Sequence, residues 1–119
     1  MNIHINAIGM ELTEALRAYV EKKISPLGKL VDQGREDVLA KVDIGKTTKH
    51  HQQGDLYKAE IVLDAFGKSF TVVSLKDDMY AAIDDMKDEI TEKITAFRDK
   101  KKDLERKGAR TIKNMAKGV

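Results

Sequence analysis

Basic side chains are the most abundant chemically capable groups in this sequence, and they are unevenly placed. Residues 93–119 carry ten Lys or Arg against three Asp or Glu, residues 76–92 carry two against seven, and residues 1–75 are balanced at ten each. The closing run of Lys93, Arg98, Lys100, Lys101, Lys102, Arg106 and Lys107, continued by Arg110, Lys113 and Lys117, has the composition of an arm for a polyanion. A solvated helix end would carry the same residues. Arg17, Lys22, Lys23 and Lys29 form a second basic group near the N-terminus, and Lys87 stands among the acids. Cations on two segments suit the phosphate ribs of a nucleic acid, contacts that fix position without reading sequence. Three Phe, three Tyr and no Trp are few for a protein that stacks single-stranded bases on aromatic rings. Recognition of folded RNA by shape and backbone fits better.

The remaining groups assemble no reaction. His4 and the adjacent His50 and His51 lack a second pair or a carboxylate cluster at ligand spacing, so no metal site is expected. Asp84, Asp85, Asp88 and Glu89 place carboxylates four residues apart on a helix, yet no nucleophile or proton-transfer partner accompanies them. They read as an acidic helix start that complements the helix dipole. With no Cys there is no disulfide, thiolate zinc site or Cys nucleophile, which fits a reducing cytosol. Phosphate-loop and dinucleotide glycine patterns are absent too. The expectation is a protein with no catalytic residue and no cofactor, not an enzyme.

Four strands and two helices must position the basic groups. Ile3, Ile5 and Ala7 alternate with His4 and Asn6, a short strand ended by Gly9. Thr13 opens a helix over about 13–25 whose apolar stripe is Leu16, Val20, Ile24 and Leu27; Pro26 breaks it, and a looser turn follows to Val31. After a polar turn at 33–37, the alternations around Val42, Ile61 and Val72 give three strands, separated by a polar loop at 46–55 and a hairpin turn at 65–68. From Asp77 the period becomes helical, with Met79, Ile83, Met86, Ile90, Ile94 and Phe97 on one stripe. Only Leu104 continues it, so a helix over 77–106 projects beyond the sheet, and Gly108 is expected to end it.

The fold class is therefore α+β, a β-α-β-β-β-α two-layer sandwich with two helices on one face of a four-stranded sheet. A chain of 119 residues and 13.4 kDa is one domain, here residues 1–107, followed by a basic, flexible tail at 108–119. The chain is 35% charged with mean hydropathy −0.46, and no apolar run approaches a membrane span. Its N-terminus does not read as a secretion signal, so a cytoplasmic protein is expected. Leu39, Val62, Val73 and Leu75 fall on the outward phase of the sheet, either a self-association patch or strand-forming surface residues.

Thr13-Glu14-Ala15-Leu16-Arg17 and, after the strand meander, Asp78-Met79-Tyr80-Ala81-Ala82-Ile83-Asp84 resemble the bacterial ribosome hibernation-promoting factors, the family that includes the ribosome-associated inhibitor called protein Y. The likeness in order and spacing covers about residues 2–107. It implies a domain similar to double-stranded-RNA-binding domains. It also implies binding to small-subunit ribosomal RNA across the mRNA and tRNA channel, silencing idle ribosomes in stationary phase or stress. Arg17, Lys23, Arg98 and Lys100 stand where the family has basic residues and take the RNA-contact role from the resemblance. Lys22, Lys29, Lys87, Lys93, Lys101, Lys102, Arg106 and Lys107 join them on the charge argument. Pro26, Glu89, Glu92 and Ala96 occupy positions commonly basic in the family, so either the contacts shift toward 93–117 or the affinity differs.

Long members carry an additional C-terminal domain that joins two ribosomes. This sequence lacks it, so a monomer that does not itself dimerise ribosomes is expected. Two other readings stay open: a generic RNA-binding or RNA-chaperone domain, and a homodimeric interaction protein using the outer sheet face.

Overall fold

Every second residue over 38–44 and 59–65 is buried, as one-sided packing of a strand requires. The computed structural model describes residues 1–31, 38–48 and 55–117, with side chains throughout except at 48, 55 and 109–117. In chain order the elements are β1 (Asn2–Ile8), α1 (Glu14–Ile24), a 3₁₀ turn (Ser25–Leu27), α2 (Gly28–Val31), β2 (Leu39–Thr48), β3 (Asp55–Ala65), β4 (Lys68–Lys76) and α3 (Met79–Lys117). The polar turn at 33–37 and both loop histidines, His50 and His51, lie outside the described residues.

The strands form one sheet in the order β1-β2-β3-β4. β1 runs parallel to β2, whereas β2–β3 and β3–β4 are antiparallel. A parallel pair needs a crossover, and α1 with α2 supplies it. The result is the expected β-α-β-β-β-α two-layer arrangement. Leu16, Val20, Ile24, Leu27 and Val31 meet Ala40, Val42, Ile44, Ala59, Ile61, Leu63 and Val72 from the sheet, and Met79, Ala82, Ile83, Met86, Ile90 and Ile94 complete the core. Phe97 is half-buried at its rim.

Local chemistry fixes the element ends. The Thr13 hydroxyl accepts from the Leu16 N–H at 3.1 Å and caps α1. The Asp78 carboxylate accepts from the Ala81 N–H at 2.9 Å and caps α3, so that helix begins two residues later than the periodicity suggested. Pro26 sits in the 3₁₀ turn, where its missing N–H costs nothing. Phe66 (φ 56) and Gly67 (φ 73) are the central pair of a two-residue hairpin turn between Ala65 and Lys68, both left-handed as its twist requires.

The structure corrects the sequence reading in two further places. The loop at 46–55 is shorter, because the β2–β3 ladder continues through Lys46↔Tyr57, Thr47↔Leu56 and Thr48↔Asp55. Backbone pairing there needs no apolar alternation. Gly108 does not end α3, which runs 39 residues to Lys117. A glycine stops a helix by adopting positive φ, and Gly108 does not. Its interior cost of about 1 kcal/mol is borne by a long helix with good formers around it.

At 1.5 Å per residue α3 is about 58 Å long, against roughly 30 Å for β4, so its second half projects. Leu104, in phase with the stripe, is 60% exposed there. No described helix is long and apolar enough to cross a membrane. On the outer sheet face, Val62 stands opposite Lys41 and Thr71, Val73 opposite Glu60, Leu75 opposite Lys58 and Leu39 opposite Asp64. Each of these four residues faces a polar one across the ladder.

Candidate nucleic-acid interface

The two helices lie side by side on the sheet, and helical phase decides which cations share a surface. On α1 the buried stripe of Leu16, Val20 and Ile24 leaves Tyr19 and Lys23 on one flank and Arg17 on the other. Tyr19 and Lys23 face α3. The Tyr19 hydroxyl donates to Asp84 Oδ1 at 2.6 Å, and Lys23 Nζ is 3.3 Å from the same oxygen. Tyr80 meets Tyr19 edge-on with centroids 4.8 Å apart, and Lys23 lies 5.4 Å from the Tyr19 ring centre. The hydrogen bond to Asp84 raises the Tyr19 pKa above 10.0, helped by desolvation and by the carboxylate's charge. The same carboxylate raises Lys23, first by its hydrogen bond and then by its charge. Lys23 is therefore firmly cationic, and its charge is shared with Asp84.

Tyr80, Asp84, Lys87, Thr91, Arg98 and Lys102 follow one another along the α1-facing flank of α3, at multiples of about 100° per residue. Lys87 reaches Asp88 at 3.7 Å. The Thr91 hydroxyl donates to the Lys87 carbonyl at 2.7 Å. Arg98 is half-buried, and its Nε is shielded from solvent with no acceptor. Lys23, Lys87, Arg98 and Lys102 thus form a basic strip beside the groove between the helices. Lys22 and Lys29 are exposed on the outer side of α1 and α2, and Lys100, Lys101, Lys102, Arg106 and Lys107 are exposed around the projecting half of α3.

Arg17, Lys93 and Lys100 stand apart from that strip, Lys100 because it follows Lys93 by seven residues and so shares its flank. Arg17 lines an open cleft of about 570 Å³ at the β1 edge, together with His4, Asn6, Lys41 and Asp43. Lys93 lies on the opposite flank of α3, where its ammonium donates to the Thr71 carbonyl at 2.9 Å and covers the free edge of β4. Asp85 is on that flank as well, accepting from the buried Ser74 hydroxyl at 2.7 Å. Glu89 shares it by phase, so this acid lies away from the groove. Charge counting did not distinguish these flanks, because a residue's side of a helix matters only once its neighbour is known.

Sequence reasoning also missed a cluster at the β3–β4 turn. Phe97 packs against Phe66 and Phe70 with centroids 5.3 Å apart in each case. Lys68 Nζ lies 5.0 Å from the Phe97 ring centre, and Lys101 Nζ lies 5.6 Å from that of Phe66. A lysine directly after a Phe-Gly turn was the available signal for Lys68. Among the described residues, no group of three or more His, Cys, Asp or Glu could hold a metal ion.

Comparisons with known proteins show the family and the fold. The family model described as Sigma 54 modulation protein / S30EA ribosomal protein matches residues 3–102. The ribosome hibernation promoting factor of Azotobacter vinelandii is 31% identical over 106 residues, covering 89% of each chain. The ribosome hibernation promotion factor of Lactococcus lactis is 30% identical over 98 residues, which are 82% of this chain and half of the length of that relative. Among solved structures, the N-terminal domain of Thermus thermophilus Protein Y superposes with a TM-score of 0.68 at 33% identity, covering 82% of this chain and 99% of that one.

Proposed function

The chain belongs to the Sigma 54 modulation protein / S30EA ribosomal protein family, and from that membership we infer that it is a ribosome-binding hibernation factor, a translation inhibitor of stationary phase or stress. It acts by occupancy and not by catalysis. Residues 1–107 bind ribosomal RNA of the small subunit, and the two-helix body fills space that mRNA and tRNA need. The basic extension at 108–119 adds charge. The protein works in the cytoplasm as a monomer and needs no cofactor.

The observation that carries this reading is the strip of Lys23, Lys87, Arg98 and Lys102 beside the inter-helix groove, with Lys22 and Lys29 near it, on a fold shared with Protein Y. Such a surface makes many phosphate contacts and few base contacts, as binding by shape requires.

The test is cosedimentation of the purified protein with vacant ribosomes near physiological salt, with and without mRNA and initiator tRNA. Saturable binding near one copy per small subunit, lost when the channel is filled, is the expected result. Weak, non-saturating binding indifferent to mRNA and tRNA would leave a nonspecific RNA binder and overturn the hibernation reading.

A further inference from the structure

The corner where α3 leaves the sheet carries a second cationic site, built from different elements than the groove. Phe97, the last stripe residue over the sheet, seats on Phe66 of the hairpin turn and Phe70 of β4. One turn further on, Lys101 has the phase of the core stripe but no sheet beneath it, and it folds over the Phe66 ring. Lys68 rises from the start of β4 onto the Phe97 ring. Two ammonium groups, one from the sheet and one from the helix, therefore rest on a single pair of rings in tilted contact. Neither is paired with a carboxylate among the described residues, unlike Lys23 with Asp84 and Lys87 with Asp88. Asp64, the acid nearest in the hairpin, accepts the Ser69 hydroxyl. Asp99 and Asp103 have phases on the far side of the helix, while Glu105, one turn beyond Lys101 on its own side, forms no ion pair with it.

Two further features bear on the purpose of this corner. Phe66 holds φ 56, a conformation that a bulky residue enters at a cost and that Asn, Asp or Gly would fill freely. The ring thus stands where turn geometry argues against it. A lysine held on a ring face has also given up part of its freedom before any partner arrives, which lowers the ordering cost of a contact.

We propose that Lys68 and Lys101 form a phosphate-contact point for RNA at this corner, extending the footprint from the helices onto the β3–β4 hairpin. The inference rests on the ribosome-binding reading. Its ligand is the RNA backbone, engaged by charge alone, since both ring faces described here are occupied by the lysines.

The experiment measures binding of full-length Lys68→Ala, Lys101→Ala, the double variant and Lys68→Arg, with Lys58→Ala as a control at the opposite end of the outer sheet face. Two probes are used, purified bacterial small ribosomal subunits and a free RNA duplex of about 16 base pairs. Each alanine variant should flatten the slope of log affinity against log salt by about one unit and weaken binding several-fold at low salt. The double variant should lose about two units, Lys68→Arg should restore the slope, and Lys58→Ala should match the parent. If the parent binds subunits and the corner variants behave like Lys58→Ala, the corner contact is overturned and the ribosome reading stands. If the parent fails on subunits, the ribosome reading falls, and the slopes on free duplex decide the corner. Binding to neither probe overturns both.

Discussion

One carboxylate, Asp84, governs what the groove between α1 and α3 presents to a polyanion. It accepts from Tyr19 and holds the Lys23 ammonium, so a phosphate reaching Lys23 must compete with it. Replacing Asp84 by Asn leaves a hydrogen-bonding side chain but removes the competing charge. RNA binding should tighten, with the salt slope steeper by about one unit if Lys23 then meets a phosphate. An unchanged slope in a filter-binding titration would place Lys23 outside the footprint. Tyr19 has a signature of its own. Its pKa lies above 10.0 because the neutral phenol donates to Asp84, so folding holds the proton on more tightly than the unfolded chain does. The stabilisation it contributes is whole below pH 10.0 and is lost as the pH climbs through the raised value. Thermal unfolding followed from about pH 8 to 11 should show a steeper alkaline fall for the parent than for Tyr19→Phe, which has no phenolic proton to lose. Identical falls would mean that the hydrogen bond contributes nothing in solution.

At the scale of elements, the parallel β1–β2 pair is the most exacting contact in the sheet. Gly45 lies so close to Ile8 that an added Cβ would stand 2.9 Å from the Ile8 carbonyl oxygen, which is backbone and cannot swing aside. Gly45→Ala should therefore destabilise the fold by about 1–3 kcal/mol in a denaturant titration. No loss would show that the two strands separate freely. The elements themselves were largely legible in the sequence, because Ala59, Ile61 and Leu63 alternate, and Ile83, Met86, Ile90 and Ile94 recur, for the same reason that they are buried. What was not legible depends on partners distant in sequence. The ladder from Lys46 to Thr48 is held by main-chain bonds, which leave no mark on side-chain pattern. Gly108 carries the residue type of a helix stop without the backbone angle of one. The candidate site divides in the same way. Most of the cations were visible as charge, but that Lys93 closes a sheet edge and that Lys68 shares rings with Lys101 follows only from where α3 crosses β4.

The molecule as a whole is a short sandwich with a long rod attached, 69 × 32 × 17 Å along its principal axes. Its Cα radius of gyration is 18.8 Å, whereas a compact chain of 119 residues would have about 13.5 Å. Small-angle scattering should return a radius near 18.8 Å if α3 stays extended to Lys117. A value close to the compact figure would mean that the projecting half folds back on the sheet. The order of elements along the chain also constrains biosynthesis. β1 leaves the translating ribosome first but cannot pair until β2 follows, and α3, which covers the inner faces of β3 and β4, leaves last. During vectorial synthesis the apolar side of the meander therefore stays uncovered until the residues around Ile94 have emerged, so most of this chain must be made before it can fold, and premature termination in α3 before Ile94 yields a sticky fragment instead of a smaller functional domain.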